Sequence, residues 1–133
     1  MTIFALDTNI VSYLLKDDET VFNHYFEEIA KGNDFIIPPI TYYEIKRGLF
    51  ACNAVAKIAA FNRMCQEFGI GEMNIAIWDE AARLFATNRK TGLVMDDADL
   101  FIAVFCLVGG YTLVTNNIRH FERVKGLTLV NWK

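Results

Sequence analysis

Ile3-Phe4-Ala5-Leu6-Asp7-Thr8-Asn9 decides the fold. An apolar run ends at a carboxylate. A short, continuous apolar run bounded by polar residues is the pattern of a strand buried on both faces, as in a parallel sheet. Ile10, Val11, Leu14 and Leu15 then recur with helical spacing, and Thr8 or Asn9 serves as the N-cap. Asp7 therefore falls where a buried strand hands over to a helix, the edge at which open α/β sheets bind ligands. Capping the helix is the plainer role for the same side chain. The choice between the two depends on what reaches that edge from the rest of the chain.

Working outward, strands and helices alternate. Asp17-Asp18-Glu19 opens a second helix running to about Lys31, with Val21, Phe22, Tyr25, Phe26 and Ile29 as its buried stripe and Gly32-Asn33 as its stop. Phe35-Ile36-Ile37 reads as a second buried strand closed by Pro38-Pro39. Thr41 caps the following helix, with Glu44 as its capping-box partner. Val55 to Phe68 is a helix, Ile70 to Met73 a short third strand, and Asp79-Glu80 the start of a helix that ends at Gly92. Leu100 to Val108 is apolar on every face, which predicts a helix buried all round. Tyr111 to Val114 and Leu127 to Val130 are the last strands. This order implies right-handed βαβ units and one parallel sheet covered on both faces. No linker or repeat divides residues 1–133, so a single domain is expected.

Composition narrows the function. With 53% hydrophobic residues the 133-residue chain has ample core, and its net charge of −3 argues against a whole-surface nucleic-acid binder. A local basic rim remains compatible with that balance. Cys52, Cys65 and Cys106 are odd in number and lack C-x-x-C spacing, so they are expected to be buried free thiols in a reducing cytoplasm. His24 and His120 complete no zinc pattern and are not expected to act as bases. Trp78 and Trp132 read as packing residues. The N-terminus has no basic leader, no run is long enough for a bilayer, and the high apolar content suggests an obligate partner.

If the strands are parallel, their ends and the helix starts bring Asp7, Glu44, Asp96, Asp97 and Asp99 to one edge, with Thr115, Asn116 and Asn117. Asp96 and Asp99, three apart, share a helix face, whereas Asp97 points elsewhere. Two carboxylates about 4 Å apart repel by about 4 kcal/mol at an effective dielectric near 20. A fold keeps such a cluster when a proton or a cation sits in it. Oxygen-only donors suit Mg²⁺ or Mn²⁺, which activate water and neutralise a phosphodiester. Each acid also has an available helix-capping role; the convergence of three strand ends is what marks the set.

These residues resemble the PIN domain, and within it the VapC-type toxins of bacterial toxin–antitoxin pairs. ALDTNI at 5–10, ITYYEIKRG at 40–48, ADLFIA at 98–103 and YTLVTNNIRHFERVKGLTLVNW at 111–132 match the family's blocks in order, over nearly the whole chain. The resemblance implies a three-layer α/β/α fold and a Mg²⁺- or Mn²⁺-dependent endoribonuclease that cuts tRNA or another structured RNA. It also implies a cytoplasmic homodimer inhibited by a cognate VapB-type antitoxin. By the family pattern Asp7, Glu44 and Asp99 hold the metal, with Thr115 beside them. Asn117 stands near the position where many relatives have a fourth acid, which weakens a second metal site; Asp96 or Asp97 could compensate.

Lys46, Arg47, Arg89, Lys90, Arg119 and Arg123 could contact phosphate, and Tyr42 and Tyr43 could stack on bases, one of them being core. Three rival readings share some of these residues. A haloacid dehalogenase-like phosphohydrolase is suggested by Asp7-Thr8-Asn9, but its second acid is missing. A receiver domain lacks its phosphoacceptor and lysine. A non-catalytic binding module would use the acids only as caps.

Overall fold

The computed structural model describes residues 1–133. Four strands, β1 (Ile3–Leu6), β2 (Asp34–Ile36), β3 (Thr112–Val114) and β4 (Thr128–Val130), form one parallel sheet in the order β2-β1-β3-β4. The register pairs Phe4 with Phe35 and Thr112, and Leu6 with Val114. Seven helices cover the sheet: α1 (Thr8–Leu15), α2 (Glu19–Ala30), α3 (Pro39–Ala51), α4 (Val55–Phe68), α5 (Ile75–Thr91), α6 (Asp97–Gly109) and α7 (Ile118–Phe121). None is long and apolar enough to cross a membrane.

Side-chain alternation along β1 and β3 divides the core into two layers. Phe4, Leu6 and Val114 pack against α1 to α4 through Ile10, Val11, Val21, Ile45 and Phe61. Ala5 and Leu113 pack on the other face against Ile77 and Ala81 of α5, Ile102 to Cys106 of α6, and Phe121 of α7. This is the expected three-layer α/β/α sandwich. The chain runs from β1 out to β2 on one side, and β3 then returns to pair with β1 on the other. The switch point therefore lies between the carboxyl ends of β1 and β3, where Asp7 and Thr115 follow their strands.

Several expectations change. The helix at Glu44 starts at Pro39, whose missing N–H costs nothing in the first turn, and Pro38 is the N-cap. Thr41 makes no capping box. It is fully buried, and its hydroxyl donates to the Leu6 carbonyl at 3.0 Å. Residues 70–73 are not a strand; Ile70 makes a single parallel bridge to Ile37. Gly71 lies so close to the Phe105 ring that a Cβ there would collide with it. Helix α5 begins four residues before Asp79, because Asn74 Oδ1 accepts the Ile77 N–H at 2.9 Å and so caps it. Helix α7 follows β3 unforeseen. Helix α6 is buried on most of its surface, but Val108 is 47% exposed. Cys65 and Cys106 are buried free thiols, whereas Cys52 is exposed. Trp132 is buried, while Trp78 is partly exposed and meets the edge of Phe101.

The Thr41 hydroxyl bond ties α3, and with it Glu44, to the end of β1. Thr41→Val keeps the volume but leaves a buried carbonyl short of this donor. The variant should lose about 1–2 kcal/mol in denaturant melts, and Thr41→Ser should lose less. Equal stability of Thr41→Val and the parent would show that the bond does not anchor α3.

Candidate functional site

Asp7 is the N-cap of α1, and its carboxylate is held from two directions. Oδ1 accepts the Thr8 N–H at 2.8 Å, and Oδ2 accepts the Thr115 hydroxyl at 2.7 Å. Thr115 is fully buried, and its oxygen also accepts the Asn117 N–H at 3.0 Å. The Asp7 N–H joins the sheet by donating to Val114 O at 2.9 Å. So the side chain is fixed by the strand it follows, the helix it starts and the loop after β3. Asn9 reinforces the junction: its Oδ1 accepts the Asn116 N–H at 3.3 Å.

Asp7, Glu44, Asp96, Asp99 and Asn117 line one cleft, together with Thr8, Asn9, Ser12, Tyr13, Lys16 and His120. Glu44, one turn into α3, accepts the Thr8 hydroxyl at 2.7 Å, and Arg47 lies 3.8 Å from its other oxygen. Asp99, in the first turn of α6, meets His120 Nδ1 at 3.0 Å. An ionised carboxylate only accepts, so Nδ1 carries the hydrogen. Asp96 is the N-cap of α6, but its side chain makes no capping bond. Asp97 does not line the cleft. The acids are arranged around an opening rather than preassembled, since no three His, Cys, Asp or Glu side chains converge as a ready-made metal centre.

Charge in this cleft is poorly compensated. Burial pushes the Asp7 carboxyl above its ordinary value. The hydrogen bonds from Thr115 and Thr8 oppose this, and the charges of Asp99 and Glu44 add to the rise. Burial also raises Asp99; His120 pulls it back, while Asp96 and Glu44 push it further. The donor set is oxygen only and carries excess negative charge, which fits a hard divalent cation.

Sequence reading missed Thr8, Ser12, Tyr13, Lys16 and His120 at this site. Thr8, Ser12 and Lys16 were legible as an i, i+4, i+8 face of a helix starting beside Asp7. His120 left no such signal, because α7 has only four residues. Of the two tyrosines, Tyr42 packs on Phe61 and Tyr43 is exposed beside Arg47.

The PIN domain family model matches residues 4–127. Ribonuclease VapC2 of Rickettsia felis is 28% identical over 98% of both chains. Ribonuclease VapC1 of Methanocaldococcus jannaschii is 41% identical over 81% of this chain and 79% of its own. Two solved structures share the fold over nearly full length. VapBC2 of Rickettsia felis bound to a DNA fragment from its promoter has a TM-score of 0.89 at 28% identity, covering 99% of this chain and 100% of that one. VapBC-1 of nontypeable Haemophilus influenzae has a TM-score of 0.86 at 26% identity, covering 98% of each.

Asp7 gives a pH prediction. Its folded-state pKa lies above the unfolded value, so the folded chain holds the proton more tightly. Stability then falls as pH rises from the ordinary carboxylate value to the raised one, and the full penalty applies above it. With chelator at neutral pH, Asp7→Asn should melt higher than the parent, and the gap should close as pH falls into the carboxylate range. A variant that melts lower throughout would mean that the carboxylate stabilises the metal-free fold.

Proposed function

This chain belongs to the PIN domain family, within it to the VapC ribonucleases, and from that premise we propose that it is the divalent-metal-dependent endoribonuclease toxin of a VapBC-type module. In this reading it acts as one domain over residues 1–133, in the cytoplasm, as a homodimer held in check by a VapB-type antitoxin. Its substrate is tRNA or another structured RNA. The observation that carries the site assignment is the meeting of Asp7, Glu44 and Asp99 in one cleft at the β1–β3 switch point. Free cysteines agree with a reducing compartment. Exposed apolar side chains such as Phe26, Phe50, Val55 and Val94 agree with surfaces that partners cover.

Asp7, Glu44 and Asp99 would hold Mg²⁺ or Mn²⁺, with Asp96 and Asn117 at its margin. When bound, the cation supplies Lewis-acid polarisation of the phosphodiester and an acidified water as nucleophile. The protein's own part is to keep three carboxylates in place against their mutual repulsion. Thr115 and the Thr8 N–H fix Asp7, the Thr8 hydroxyl orients Glu44, and His120 orients Asp99. Asn117 brings no fourth charge, which favours one tightly held ion over two. The phosphohydrolase alternative fits less well, because Asn9 is engaged by the Asn116 amide rather than free beside Asp7. A module whose acids only cap leaves the charge excess at Asp7 and Asp99 without a use.

Purified protein should cut RNA with Mn²⁺ and not with chelator. Folded Asp7→Asn and Asp99→Asn should lose about a hundredfold or more, about 2.7 kcal/mol of barrier. Expression alone should arrest growth and expression with the antitoxin should not, and sequencing of the cleaved RNA ends gives the target. Full cutting by a folded Asp7→Asn protein would remove the proposed site.

A further inference from the structure

Asn88 is a polar side chain that the fold itself does not use. It lies in the last turns of α5 and is only 8% exposed. Asn is a poor helix former, and a buried carboxamide is kept where its donors and its acceptor find partners. Here the one side-chain contact is weak: Nδ2 lies 3.9 Å from the Met95 thioether sulfur. Oδ1 has no protein donor. No side-chain N or O of the protein is both sealed and unpartnered, so this oxygen faces open space. The Asn88 main-chain carbonyl does close the helix by accepting the Leu93 N–H at 2.9 Å, but any residue would serve there. Leucine or methionine at this position would favour the helix more and expose no amide.

The open space is a cavity of about 260 Å³ between the end of α5, the connection to α6 and the first turn of α6. Apart from Asn88 its walls are mainly apolar: Phe85, Leu93, Val94, Met95 and the buried Leu100. None of these residues lines the acid cleft. The two are nevertheless neighbours. Leu93, Val94 and Met95 border a hollow whose other lining includes Asp96, Asp99 and His120, and those three also line the cleft. A ligand that spans the hollow therefore reaches the cavity and the cleft at once.

The chemistry of the cavity selects its occupant. An apolar side chain of a protein partner would leave the amide unmatched. A carboxylate would satisfy Nδ2 but set its charge against Oδ1. A nucleobase presents a donor beside an acceptor on one edge, which a carboxamide matches with two parallel hydrogen bonds, and its flat faces suit apolar walls. The volume is that of about nine waters at roughly 30 Å³ each, which is room for one base. We propose that this cavity takes one nucleobase, turned out of the strand beside the scissile phosphate, and that Asn88 reads its edge. The inference rests on the ribonuclease reading and extends it to base preference. Asn88 touches no reacting atom, so its role is in specificity: it decides which base is accepted, while the acids decide where the bond breaks.

The test has two arms. In chelator, where nothing is cut, each of the four uncharged ribonucleosides is titrated into the protein and followed by amide NMR. At least one should bind saturably, with Kd on the order of millimolar, and shift the Leu93 to Met95 amides and the Asn88 side-chain amide. Asn88→Leu should abolish that binding while melting as a folded protein. In the second arm a random-sequence RNA pool is cut with Mn²⁺ and the ends are sequenced. The parent should favour one base by about tenfold at a single position beside the cut, as one bidentate pairing gives. Asn88→Leu should even out that position alone, and Asn88→Asp, which only accepts, should change the base favoured there. Absence of nucleoside binding by the parent would overturn the proposal. So would a base preference that survives in Asn88→Leu, even with slower cutting, since slower cutting alone is what a purely structural role would give. Failure of the parent to cut any RNA with Mn²⁺ would count against the ribonuclease reading instead, because the nucleoside titration reads the cavity without catalysis.

Discussion

A buried carboxylate at the sheet's switch point is the constraint around which the rest of the molecule is arranged. Asp7 is 5% exposed and carries a charge that burial disfavours, yet it lies where three elements meet. Two hydrogen bonds hold it, from the Thr8 N–H and the Thr115 hydroxyl, and they do not offset the desolvation. Glu44 and Asp99 bring further negative charge into the same cleft. A fold that served only its own stability would place a neutral residue there. The arrangement gains a purpose when a cation completes it.

The same constraint accounts for otherwise unrelated details. Thr41 spends its hydroxyl on the Leu6 carbonyl rather than on a helix cap, which anchors the helix that carries Glu44 to the strand that carries Asp7. Thr8 contributes twice, its N–H to Asp7 and its hydroxyl to Glu44. The short helix α7 brings His120 back over Asp99. The scaffold supplies orientation to each acid separately, consistent with a cleft that is lined by acids but not closed into a centre.

How much of this was legible in the sequence depended on whether the signal was local. The strand–acid–helix junction at 3–15 was readable because the apolar run and the helical spacing both lie within a few residues of Asp7. The two-sided burial of the sheet followed from the same runs. The helix starts were misread where a local pattern had a tertiary use. Thr41 and Glu44 match a capping box, but Pro39 already begins the helix. Asp79-Glu80 match a first turn, but Asn74 caps it earlier. Ile70 to Met73 has strand-like composition, but only Ile70 pairs, and the Phe105 ring packs against Gly71. His120 was dismissed because its partner, Asp99, is 21 residues away and no periodicity links them.

Titration of Mn²⁺ into the metal-free protein by calorimetry, without RNA, addresses the central claim most directly, that Asp7, Glu44 and Asp99 are held together to share a cation. One saturable ion per chain is expected, with affinity falling at least about tenfold in each of Asp7→Asn, Glu44→Gln and Asp99→Asn. Unchanged Mn²⁺ affinity in any of these variants, shown to be folded, would contradict it.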